Sequence, residues 1–120
     1  MKKKVFVYGT LKSGHGNSKY FLENDESVCL GKCTIDGNFT MVNLGAFPGV
    51  IPTGNNTIHG EVWEVSEKVS KRLDRLEGYD PDPNQRYYDK MVVETAFGNA
   101  EIYILDESHL NYPKIETGEW

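Results

Sequence analysis

Glu77 is the residue in this sequence whose type and position together point to chemistry. It follows an apolar stripe, Val69, Leu73 and Leu76, spaced at four and three residues, and stands immediately before Gly78. A carboxylate at the end of such a helix meets the partial negative charge of its C-terminus, which opposes it by roughly 0.3–1 kcal/mol. Beside the apolar face it also loses water. Both effects raise its pKa, the direction that favours proton exchange near neutral pH. Helix ends ordinarily favour Lys or Arg, so an acid here breaks a local rule, and functional residues are often found where such rules break. The alternative is an exposed Glu whose side chain turns out into water. A second candidate is Tyr8-Gly9-Thr10-Leu11, where an apolar run ends at a glycine. Glycine lets backbone approach a ligand closely, and such a turn can aim several N–H groups at an anion or oxyanion. The plain alternative is a turn with no ligand.

Other chemistries lack their residues. There is no G-x-S-x-G elbow, no Walker A loop and no H-E-x-x-H. The two cysteines, Cys29 and Cys33, supply half of a tetrahedral zinc site and miss the redox C-x-x-C spacing. On a strand, positions i and i+4 face the same way, so they are expected as two small hydrophobes in or near a core. His15, His59 and His109 are scattered without ligand spacing. No metal site and no cofactor are expected.

The elements that must position Glu77 and the Tyr8 turn follow from periodicity and punctuation. Val5-Phe6-Val7-Tyr8 reads as a short strand ending at Gly9, followed by a Gly-rich loop over 9 to 17 and a helical turn or two over Ser18 to Glu23 with Asn17 as N-cap. Strands are expected near 28 to 35 and 39 to 43, separated by the turn composition Asp36-Gly37-Asn38. From 44 to 57 the Gly, Pro and Asn content predicts a long surface loop. A strand resumes at Ile58 and runs to Val65. Ser66 then caps the helix that bears the Val69, Leu73, Leu76 stripe, and Gly78 ends it. An open loop spans Asp80 to Asn84, and Tyr87 to Ala96 and Ala100 to Leu105 form a hairpin joined at Phe97-Gly98-Asn99. The tail from Asp106 to Trp120 shows no period. Strands that do not alternate regularly with helices indicate an α+β fold.

The chain has 120 residues, the size of one domain covering 1–120, and can bury enough surface to be stable without staples. A net charge of −5 argues against nucleic acid, whose affinity comes from clustered Lys and Arg. The only basic run is Lys2 to Lys4, and the apolar segment after it is interrupted at Gly9, Thr10 and Lys12, too early for a signal peptide. No stretch approaches the roughly 18 apolar residues of a membrane helix. A cytoplasmic location is expected, and the N-x-T sequons at Asn38 and Asn55 then carry no meaning.

In order and spacing these segments resemble the γ-glutamylcyclotransferase, or AIG2-like, family over nearly the whole chain, and a small bacterial subgroup of it in particular. Val5-Phe6-Val7-Tyr8-Gly9-Thr10-Leu11-Lys12 is similar to the family's opening motif, with Gly14 and Asn17 as its continuation. Leu73-Asp74-Arg75-Leu76-Glu77-Gly78-Tyr79 is similar to a second motif, whose Glu before Gly is the catalytic acid/base. Tyr88-Asp89-Lys90 before Met91-Val92-Val93 resembles a third, in which Lys here replaces the more common Arg. The resemblance implies a small mixed β-barrel with flanking helices. It also implies an activity in which the α-amine of a γ-glutamyl compound attacks its own γ-carbonyl, giving 5-oxoproline and a free amine without metal or enzyme nucleophile. Glu77 would serve as general acid/base. Tyr8, Gly9, Thr10 and Leu11 would hold the glutamyl moiety through backbone groups, and Tyr88 would be a wall or hydrogen-bond donor, or else an ordinary core aromatic. Tyr103 and Phe47-Pro48-Gly49 are weaker candidates for the cavity mouth. The substrate is a γ-glutamylamine, the type most expected, or a γ-glutamyl-amino acid. The alternative is a protein that binds a γ-glutamyl or other small acidic ligand in the same pocket without turnover. Oligomeric state is not legible.

Overall fold

The computed structural model of the chain describes residues 2–9, 27–79, 82 and 88–120. Its main sheet has five strands in the order β2-β5-β1-β7-β6, where β1 is Lys2–Val7, β2 Ser27–Ile35, β5 Ile58–Ser66, β6 Asp89–Thr95 and β7 Gly98–Ile104. The central strand β1 runs antiparallel to β5 and parallel to β7. Its residues alternate between two cores. Val5 and Val7 join Trp63, Val65, Tyr103 and the helix residues Val69 and Leu73 in one layer, while Phe6 and Tyr8 join Ile58, Val62, Ala100 and Ile102 in the other. Burial on both faces explains why Val5-Phe6-Val7-Tyr8 is a continuous apolar run. Trp63 lies in the helix-side layer with its indole N–H donating to the buried Glu61 carboxylate at 3.1 Å, and Trp120 packs against the opposite layer.

The helix α1, Glu67–Leu76, starts where expected: the Ser66 side chain accepts from the Val69 N–H. Its end forms a Schellman motif. The Gly78 N–H donates to the Arg75 carbonyl and the Tyr79 N–H to the Asp74 carbonyl, with Gly78 at φ +69°, a left-handed position suited to glycine. The expected hairpin is β6–β7, although the first strand is described from Asp89 and the second starts at Gly98.

Three expectations change. First, the segment 44 to 57 contains a strand, β4, Pro48–Ile51, which pairs with β3, Thr40–Asn43, in a second sheet. Pro is tolerated as a first strand residue. A Cβ at Gly49 would lie 2.3 Å from the Leu105 side chain, so the glycine lets that side chain pack directly over the strand. Second, β2 carries a bulge between Cys29 and Gly31, so Cys29 stands opposite Trp63 but Cys33 stands opposite Gly60. The extra residue reverses the alternation, and the two cysteines face opposite sides of the sheet. Cys29 is exposed, and Cys33 packs against the core. Third, the sheet is barrel-like without closing into a barrel: β2 and β6 remain its edges. They meet through Phe97, whose ring covers Gly31 so closely that a Cβ there would be 2.7 Å from the ring.

Residues 113–120 run back across both sheets. Asn43 and Ile115 donate N–H groups to Pro113 and Met41, and the His59 N–H donates to Gly118 at 2.8 Å. Gly118 has φ +67°, and a Cβ would collide with the Thr57 carbonyl oxygen at 1.8 Å. The expected helical turn over Ser18 to Glu23 and the Gly-rich loop before it, apart from Gly9, lie outside the described residues, as does the 80 to 84 loop apart from Asp82. Among the described residues no helix is long and apolar enough to cross a membrane.

Candidate active site

A cavity of about 520 Å³ opens where β1 ends beside the C-terminus of α1. The size suits a small molecule. Glu77, the C-cap of α1, forms part of one wall together with Arg75, Leu76 and Gly78. The rest of the described lining is Phe6, Val7, Tyr8 and Gly9 from the end of β1, Ala46, Phe47 and Pro48 from the approach to β4, and Tyr88 and Tyr103. Burial in this largely aromatic surround pushes the Glu77 carboxyl from 4.5 to about 7. Such a group can take up and return a proton at neutral pH.

Three tyrosines line the cavity as well, and each hydroxyl donates to the protein. The Tyr8 hydroxyl donates to the Tyr103 carbonyl at 2.7 Å, the Tyr88 hydroxyl to the Pro48 carbonyl at 2.8 Å and the Tyr103 hydroxyl to Asp74 Oδ1 at 2.7 Å. The Tyr8 pKa lies well above its usual value through burial first, then through Tyr88 and Glu77 nearby. Burial, followed by the bond to Asp74, likewise raises Tyr103. Their protons are committed to the fold, so these rings act as walls and braces. Tyr88 both lines the cavity and packs in the helix-side core, and its hydroxyl fixes Pro48.

Behind Tyr103 lies an ionic clamp. Lys90 Nζ is 3.1 Å from Asp74 Oδ1 and 3.7 Å from Glu101 Oε1, and it sits 4.4 Å from the centroid of the Tyr79 ring. This cluster ties the last turn of α1 to the β6–β7 hairpin. Gly9 has a different constraint: its φ is not positive, but a Cβ would be 2.9 Å from the Pro48 ring. Close packing, and not backbone conformation, demands glycine there.

The structure thus brings Glu77, Tyr8, Gly9 and Tyr88 to one cavity, while Thr10 and Leu11 lie outside the described residues. Tyr103, Phe47 and Pro48 line it, and Gly49 does not. Sequence reasoning missed Arg75, which reads as part of the solvated face of α1, and the Asp74–Lys90 pair, which no local spacing connects. Among the described residues no group of three potential metal ligands occurs. Asp106, Ser108 and His109 cluster by hydrogen bonds around the 3-10 turn Glu107–His109, away from the cavity lining.

Residues 5–120 match the family model described as gamma-glutamyl cyclotransferase, AIG2-like. The chain belongs to this family. A Vibrio cholerae protein that takes its name from the family is 37% identical over 120 residues, covering all of this chain and 96% of the relative. The gamma-L-glutamyl-butirosin B gamma-glutamyl cyclotransferase of Niallia circulans is 36% identical over 123 residues, covering 97% of this chain and 74% of that protein. The solution structure of the ytfP protein of Escherichia coli superimposes with a TM-score of 0.74 at 32% identity, over 98% of this chain and 95% of that one. The fold is therefore the α+β fold of the γ-glutamylcyclotransferase family. The segments that carry the likeness, Val5 to Gly9, Leu73 to Tyr79 and Tyr88 to Lys90, converge on the cavity or on the clamp behind it.

Proposed function

We propose that the protein cyclises a γ-glutamyl compound, releasing 5-oxoproline and a free amine, with Glu77 as general acid and base. The observation that carries this reading is the Glu77 carboxyl on the cavity wall with its pKa near 7. The reaction asks little of a protein because the nucleophile is the substrate's own α-amine. Glu77 takes a proton from the α-ammonium, and the freed amine attacks the γ-carbonyl carbon. A C–N bond forms to close the five-membered ring. Glu77 then returns a proton to the scissile nitrogen, whose bond to the γ-carbon breaks, and the ring nitrogen's second surplus proton goes to the departing amine, which leaves as an ammonium. One carboxyl that titrates near the working pH serves both transfers. Tyr8 and Gly9, with Thr10 and Leu11 beyond them in sequence, hold the glutamyl half. Tyr88 and Tyr103 enclose it. Both γ-glutamylamines and γ-glutamyl-amino acids fit the cavity's volume.

The test is to incubate the purified protein with a panel of γ-glutamyl compounds and measure 5-oxoproline and released amine in equal amounts. Equimolar release that Glu77→Gln abolishes is the expected result. Tight binding of the same compounds without 5-oxoproline would replace the reading with a pocket that binds and does not turn over.

A further inference from the structure

Asp74 stands in the last turn of α1, three residues before Glu77, so the two acids project from one side of the helix at its negative end. Carboxylates so placed are unfavourable on local grounds, and the fold compensates them: Lys90 Nζ lies 3.1 and 3.4 Å from the two Asp74 oxygens and 3.7 Å from Glu101. Neither Asp74 nor Lys90 belongs to the described cavity lining, yet Asp74 reaches the cavity by two routes. Its Oδ1 accepts the hydroxyl of Tyr103, a ring that lines the cavity, at 2.7 Å. Its backbone carbonyl accepts the Tyr79 N–H at 2.8 Å, which closes the turn that carries Glu77. From Tyr103 the chain of bonds continues, since the Tyr103 carbonyl accepts the Tyr8 hydroxyl at 2.7 Å. After burial, and behind Tyr88 for Tyr8 and Asp74 for Tyr103, the Glu77 charge adds to the raised pKa of each hydroxyl. The acid therefore stands close to the two rings that Asp74 ties to its own helix.

We propose that Asp74 is a positioning residue: by accepting the Tyr103 hydroxyl from the last turn of α1 it sets the place of the Glu77 carboxyl against the tyrosines, and Lys90 holds it in that role. This rests on the cyclisation reading and adds to it a residue that acts from behind the cavity. An acid that must serve two nitrogens of one substrate tolerates little displacement, and a shift of about 1 Å can cost about a hundredfold in rate. Tying the helix end to the cavity wall by a hydrogen bond to a charged acceptor limits that displacement.

The experiment compares Asp74→Ala with Asp74→Asn. Both remove the same charge, but only Asn keeps an oxygen that can accept the Tyr103 hydroxyl. Arg75, Tyr8, Tyr88, Lys90, Tyr103 and Glu101, the other titratable groups of the described lining and the clamp, are the same in the two variants, so a difference between them reports geometry and not charge. Two quantities are read on samples shown to be folded by thermal melting: kcat and KM for γ-L-glutamyl-L-alanine, γ-L-glutamylethylamide and γ-glutamyl-ε-lysine, and the titration of the Glu77 carboxyl by carbon NMR, assigned by its absence in Glu77→Gln. Asp74→Ala is expected to lose about a hundredfold in kcat with KM little changed, and Asp74→Asn to recover most of that loss. Glu77 should titrate lower in Asp74→Ala than in Asp74→Asn, because a loosened turn admits water to it. Tyr103→Phe, which deletes only the donor, should reproduce the kcat loss, and the double variant Asp74→Ala/Tyr103→Phe should lose no more than Asp74→Ala, since both remove one bond. Equal kcat and equal Glu77 titration in Asp74→Ala and Asp74→Asn would overturn the assignment, as would wild-type kcat in Tyr103→Phe, which also decides the matter if Asp74→Ala does not fold. Losses that multiply in the double variant would overturn it too, by showing that the two residues act separately. If wild type forms no 5-oxoproline from any of the compounds while the Glu77 titrations still differ, the cyclisation reading falls and Asp74 stands.

Discussion

Burial holds the Glu77 carboxyl protonated up to about pH 7, and its consequences are measurable through pH. In the cyclisation reading kcat/KM should climb with pH through an apparent pKa near 7; a limb near that of a solvated carboxyl, about 4.3, would place the side chain in water. Glu77→Gln should lower turnover by about 10²- to 10⁴-fold while the fold persists. The stability sign follows from linkage. A carboxyl whose pKa is raised on folding stabilises the native state fully below the unfolded value, and that contribution is lost as pH rises from about 4.5 through about 7. Glu77→Gln, free of this titration, should therefore gain on wild type in melting temperature at pH 8, and the gain should shrink toward pH 5. Gly9 is constrained by Pro48, 2.9 Å from any added Cβ. Gly9→Ala should cost about 1–3 kcal/mol from overpacking and also reduce turnover by displacing a cavity wall, read as the denaturation midpoint and kcat/KM on one preparation.

Helix α1 was legible because every signal agreed: Ser66 as cap, the Val69, Leu73, Leu76 stripe, and Gly78 in a left-handed C-terminal turn. The acid at its end was legible because it contradicts the helix's own electrostatics. Strand β4 was not, since Pro48 and Gly49 look like breakers until the partner strand and the Leu105 side chain are known. The β2 bulge was also hidden, because its effect on Cys29 and Cys33 depends on which β5 residue each one meets. Lys90 and Asp74 are sixteen residues apart, and only the fold joins them. That clamp predicts that Lys90→Met, which keeps the apolar stem but takes the cation away from Asp74 and Glu101, will destabilise the protein. A cost of about 1–3 kcal/mol in urea unfolding is expected for this partly buried cluster. No change in midpoint would make it a surface pair of little energetic weight.

Over the whole molecule, the return of residues 113–120 across both sheets joins parts that the strand order leaves separate. Gly118→Ala should be among the most damaging single changes, costing more than about 3 kcal/mol, because the added methyl meets the Thr57 carbonyl and the backbone is left-handed. Loss of cooperative unfolding in a thermal melt is the check. Trp63 and Trp120 are the chain's two tryptophans, one in each core layer and neither in the cavity lining. Fluorescence from the single-tryptophan variants Trp63→Phe and Trp120→Phe would therefore report each layer by its own chromophore, insensitive to direct contact with a bound ligand. Coincident emission and circular dichroism transitions in both would show that the two layers melt as one thermodynamic unit; separated transitions would show that the sheet divides two structures able to lose order in turn.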